Sequence, residues 1–138
     1  MRTEIYITSG RSPSVQTKAA AEWTIIAFNP RGIKMGRMDG KAEADNVTNK
    51  KVTLMALRDA LKRFHSPAVI KLFVSDPFVR NMLKADMPRR WSEHDWKLFR
   101  YNREIRHLEL WQEINELLKN HAVSYAAPSE LPKIEKEI

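Results

Sequence analysis

The string Thr48-Asn49-Lys50-Lys51 places a hydroxyl, an amide and two ammonium groups in succession. At the start of a helix such a string has free backbone N–H groups and a positive dipole end beside it, a setting that favours phosphate. The plainer alternative is that Thr48 or Asn49 accepts from those N–H groups as a cap, with both lysines solvated. Further on, Trp91 and Trp96 stand among Arg89, Arg90, Lys97, Arg100 and Arg103. Aromatic faces with guanidinium groups suit phosphate tracking and base stacking. Against that, large aromatic side chains are commonly core anchors, and Glu93, Asp95, Glu104 and Glu109 are at hand to pair with the arginines. Asp76 immediately precedes Pro77, the arrangement of a helix cap followed by a first-turn proline. His65, His94, His107 and His121 are scattered without metal-ligand spacing, and no role is assigned to them. The absence of cysteine excludes a disulfide scaffold, a cysteine-ligated zinc and a cysteine nucleophile.

These groups must be positioned by one domain. The chain has 138 residues, 43% hydrophobic and 30% charged, close to the globular average. Lys and Arg outnumber Asp and Glu by 24 to 17, a net charge of +7 that attracts polyanions. No apolar run spans a bilayer, and Met1-Arg2-Thr3-Glu4 lacks the apolar core of a signal peptide. A cytoplasmic protein without a membrane partner is expected.

The pattern opens with strands. Glu4–Thr8, Glu22–Phe28 and Ile33–Met38 are β-branched or aromatic, and Asn29-Pro30-Arg31-Gly32 makes the second turn. The period changes at Thr48: Leu54, Leu57, Leu61 and Phe64 recur at helical spacing. Val69–Val74 is nearly all apolar, as in a parallel strand covered on both faces. A helix follows, with Phe78, Val79, Met82 and Leu83 as its apolar stripe. Lys84–Arg106 has no clear period. Leu108, Trp111, Ile114 and Leu118 define another helix, and Ala122–Tyr125 a last strand. The order β-β-β-α-β-α-α-β implies an antiparallel meander followed by right-handed parallel crossovers, hence an α/β domain.

Several strings resemble type 1 ribonuclease H. Thr48–Ala56 is similar to the family's T-N-N-x-x-E-L-x-A, Ser75–Arg80 to its T-D-S-x-x-V corner, and Ile105–Ile114 to V-K-N-x-x-L-W-x-x-L. The resemblance runs from Glu4 to about Tyr125. It implies a ribonuclease H-like fold over residues 1–126, with a five-stranded mixed sheet (three antiparallel strands, then two parallel) flanked by helices, and a C-terminal tail over 127–138.

The family cleaves the RNA strand of RNA–DNA hybrids with two metal ions, and paired dications want several converging carboxylates. Position by position, this chain departs from that set. Ser9 stands where the first Asp of T-D-G belongs, and Thr53 replaces the Glu of the first helix. The next Asp aligns with Asp76 or, without a gap, with Ser75. The last Asp and the loop His have no counterpart in Ala126–Pro132. One carboxylate against two dications would leave roughly +3 uncompensated. The resemblance therefore implies a disarmed domain that binds RNA–DNA hybrid or double-stranded RNA through Thr48, Asn49, Lys50, Lys51, Arg89, Arg90, Lys97 and Arg100, with no cofactor. The alternatives are a protein-interaction module or homodimer on the same fold, and a residual nuclease using Asp76 with magnesium or manganese.

Overall fold

The computed structural model describes residues 2–10, 14–97 and 105–126. Its elements are β1 (Arg2–Ser9), β2 (Gln16–Phe28), β3 (Lys34–Val47), α1 (Asn49–Leu61), β4 (Val69–Val74), α2 (Pro77–Lys84), α3 (Met87–Ser92), α4 (Leu108–Leu118) and β5 (Ala122–Tyr125). One sheet runs β3-β2-β1-β4-β5. The first three strands are antiparallel, β4 is parallel to β1, and β5 is parallel to β4. This is the expected five-stranded mixed sheet, and the fold is ribonuclease H-like.

Side chains alternate along a strand, so register decides what each one meets. Ile5 lies opposite Ile25 and Leu72, and Ile7 opposite Trp23 and Val74. These residues share the face covered by the helices and form the main core. The intervening Tyr6 points to the opposite face, where it stacks on Phe73 at 4.2 Å between ring centroids and joins Ile26 and Ala126. β4 is thus buried on both faces, the reason its sequence is nearly all apolar.

The helices cover the first face with stripes at helical spacing. α1 buries Val52, Leu54, Ala56, Leu57, Ala60 and Leu61. Trp111 of α4 is edge-on to Trp91 of α3 at 5.6 Å, and Trp96 packs on Trp91 at 6.5 Å. At about 200 Å² buried per ring and about 25 cal/mol per Å², each fully covered tryptophan contributes roughly 5 kcal/mol of gross hydrophobic stabilisation. Trp23 is held just as tightly on β2, where Arg63 caps its ring at 5.4 Å.

Four departures from the sequence pattern have physical causes. The third strand continues to Val47, well past Met38, because Gly40, Ala42 and Asp45 pair with Trp23, Ala21 and Lys18 of β2. Its inward residues there are small, and a Cβ on Gly40 would lie 2.1 Å from the Trp23 ring, so the missing side chain makes room for the indole. The second strand starts earlier, at Gln16, for the same pairing. The short helix α3 lies within the stretch without a period, so among the described residues three helices rather than two separate β4 from β5. Phe78 does not join the stripe of α2: it is 42% exposed, while Val79 and Leu83 are buried.

Candidate nucleic-acid interface

The parallel strands β1 and β4 end side by side, and the crevice beyond the carboxyl ends of such strands is where open α/β sheets place ligands. The Ser75 N–H donates to the Ile7 carbonyl at 2.9 Å and extends the ladder by one bond. The Ser9 N–H in turn donates to Ser75 Oγ at 3.1 Å. From above, α1 lowers Thr53 into contact: its Oγ1 lies 2.8 Å from Ser9 Oγ and 2.6 Å from the Asn49 carbonyl. A hydroxyl has one proton. Thr53 gives its own to Asn49 O, which can only accept, so Ser9 donates to Thr53. Thr53 is 0% exposed. The three positions matched to catalytic carboxylates by the ungapped alignment thus form a neutral bonded set, with Ser9 joined to Thr53 through its hydroxyl and to Ser75 through its backbone N–H.

Asp76 is the neighbouring acid. Its Oδ2 accepts from the Val79 N–H at 2.9 Å and caps α2, with Pro77 in the first turn. Among the described residues no group of three His, Cys, Asp or Glu converges to hold a metal ion. Among the described residues the donor set here is three neutral hydroxyls and one capping carboxylate. That set does not fit a pair of hard dications, which require anionic oxygens to offset their charge.

Thr48 is the N-cap of α1, its side chain accepting from the Lys51 N–H at 3.2 Å. Asn49 is 3% exposed and packs against Gly10, where a Cβ would sit 3.2 Å from its amide nitrogen. Asn49, expected from the resemblance to touch nucleic acid, has its side chain in the joint between α1 and the end of β1. Lys50 reaches over the Phe78 ring at 4.3 Å, a cation–π contact that explains why this phenylalanine stays outside the core.

Two residues given no role from sequence join this end of α1. His107 begins α4 in the left-handed conformation, φ 59°. Its imidazole is held below the ordinary range first by burial, then by the charges of Lys51, Arg106 and Lys50. The amino ends of α1 and α4 therefore bring Lys50, Lys51, Arg106 and His107 into one electropositive cluster. Arg106 and His107 are neighbours in the string Ile105-Arg106-His107, but nothing in that string locates them beside α1.

The basic residues of α3 have other surroundings. Arg89 bonds Asp86 and Glu93, and Arg90 reaches Met87 Sδ at 3.8 Å. Lys97 is exposed, and Arg100 and Arg103 lie outside the described residues. Trp91 is 6% exposed and Trp96 packs against the core, so the aromatic half of that patch serves packing and is not an open stacking platform.

No family model matches the chain. In sequence it is similar to the ribonuclease H of Caldicellulosiruptor saccharolyticus, 27% identical over 85 residues, which is 62% of this chain and 58% of that protein. The ribonuclease H of Thermoanaerobacter sp. strain X514 is 28% identical over 81 residues, 59% and 52% respectively. The likeness thus spans little more than half the length of these curated relatives. Among solved structures, LC9-RNase H1, described as a type 1 RNase H with the type 2 active-site motif, superposes with a TM-score of 0.72 at 18% identity, covering 90% of this chain and 61% of that one. LC11-RNase H1 in complex with an RNA/DNA hybrid gives 0.58 at 12% identity, covering 97% and 91%. The foamy viral protease-reverse transcriptase in complex with double-stranded DNA gives 0.65 at 13%, covering 91% and 80%.

Proposed function

We propose that this chain, a ribonuclease H-like domain, binds nucleic-acid duplexes of A-like geometry, RNA–DNA hybrid or double-stranded RNA, without cutting them. The carrying observation is the bonded set Ser75–Ser9–Thr53 beside a basic cluster. It pairs a strand-end crevice poor in anions with Lys50, Lys51, Arg106 and His107 at two helix amino ends. Such ends present unbonded N–H groups and a positive dipole to phosphate. Lys50 and Lys51 supply charge that a duplex backbone neutralises with release of counterions. Support also comes from the RNA/DNA hybrid held by one structure of the same fold.

The test is retention of a labelled RNA–DNA hybrid and a double-stranded RNA across a salt series. Binding is expected at low salt, falling linearly with log salt. Lys50→Glu with Lys51→Glu should weaken it for every sequence and flatten the salt slope by about 2, roughly one per phosphate contact. No retention at any salt refutes the reading.

A further inference from the structure

A cavity of about 460 Å³ lies where α2, α3, α4 and β5 meet, within the size range of small-molecule sites. Its lining shares no residue with the bonded set Ser75–Ser9–Thr53 or with the cluster at the amino ends of α1 and α4. The apolar part is Leu83, Pro88, Leu118 and Val123. The polar part is rich in donors. Asn115 is 5% exposed, and its buried amide nitrogen has no hydrogen-bond partner among the described residues. Tyr125 keeps its phenol proton, its pKa pushed up to about 12 by burial and by Asp86. His121 Nδ1 accepts from the Ala68 N–H at 3.0 Å, which leaves the neutral ring's proton on Nε2.

Charge follows the same sign. Lys84, Arg89 and Lys119 all line the cavity. Asp86, the one acid among the described residues of the lining, is already bonded to Arg89. Lys119 pairs with Glu116 at 2.7 Å, whereas Lys84 makes no ion pair among the described residues. A buried donor left unpartnered is costly, and an acceptor oxygen removes that cost.

We propose that this cavity binds a small organic anion, its apolar body against Leu83, Leu118 and Val123 and its phosphate or carboxylate oxygens facing Lys84 and the Asn115 amide. The site is independent of duplex binding. Phosphate and carboxylate share the chemistry, and the two are separated by probe.

The ¹⁵N-labelled full chain is titrated with phenyl phosphate, benzoate, inorganic phosphate and benzyl alcohol, following the amides of Lys84, Val123 and Tyr125. Saturable shifts with phenyl phosphate or benzoate support the site, and the tighter of the two identifies the head group. Inorganic phosphate and benzyl alcohol should each bind at least about tenfold more weakly, since each lacks one half of the recognition. Asn115→Leu and the exposed change Lys84→Glu should each weaken the better probe about tenfold, the scale of a hydrogen bond to a charged group. Absence of saturable shifts in the unaltered chain overturns the proposal. So does equal binding of inorganic phosphate, or unchanged affinity in Lys84→Glu, a variant whose folding is not at risk.

Discussion

Thr53→Val exchanges the fully buried hydroxyl of the bonded set Ser75–Ser9–Thr53 for a methyl of nearly the same size. The helix tolerates valine, and a fully buried position keeps its packing. The Asn49 carbonyl retains its helical bond from the Thr53 N–H, so little is lost there. Ser9 loses the acceptor now 2.8 Å away. A net hydrogen bond of this kind contributes about 0.5–1.5 kcal/mol, and half-buried Ser9 recovers part of that by turning toward water. A destabilisation of about 1 kcal/mol is expected, with Ser9→Ala costing a similar amount. The double variant should be less destabilised than the sum by about 0.5–1 kcal/mol, because both partners of one bond are then gone. Urea unfolding followed by tryptophan fluorescence measures all three, with an unchanged m-value certifying that only stability moved. Additivity within about 0.3 kcal/mol would refute the bond between the Ser9 and Thr53 hydroxyls.

Gly40→Ala should destabilise the fold by about 1–3 kcal/mol in the same assay, because its methyl meets the Trp23 ring at 2.1 Å and the buried indole cannot yield. Asp76→Ala should cost about 1 kcal/mol through the lost cap of α2, and Asp76→Asn much less, since asparagine also accepts at a cap. For His107, whose folded value lies below its ordinary 6.5, the neutral form is the one folding favours. Its contribution to stability is therefore present above pH 6.5 and lost as pH falls through the folded value. His107→Asn, which suits the left-handed backbone there, should flatten the stability profile in that window, leaving the part due to His121, also lowered by burial. An unchanged profile would remove His107 from the cluster.

Sequence made β4 and α1 legible because burial demands large apolar side chains there. Val69–Val74 is covered on both faces, and α1 presents a wide stripe to β1 and β2. The Thr48 and Asp76 caps were equally legible, since capping is a local bond. The far half of β3 was not. Its inward positions are Gly40, Ala42 and Ala44, chosen to fit beneath Trp23 and α1, so the alternation is present but almost without apolar contrast. At the site, Ser9, Thr53 and Ser75 could be matched by position. Their bonding to one another depends on the register of β1 on β4 and on the height of α1 above it. The same is true of His107 beside Lys51: the two are far apart along the chain, and only the packing of α4 on α1 joins them. Asn49 runs the other way, a residue whose type suits a ligand but which the fold uses against Gly10.

The most direct test is to incubate the pure chain with end-labelled RNA–DNA hybrid at low salt in excess magnesium or manganese, scoring retention and strand length together. A hybrid retained intact, with retention unchanged by chelator and lost on adding salt, is the expected result. RNA cleavage that disappears in Asp76→Asn would contradict it and return a working metal centre to the end of β1.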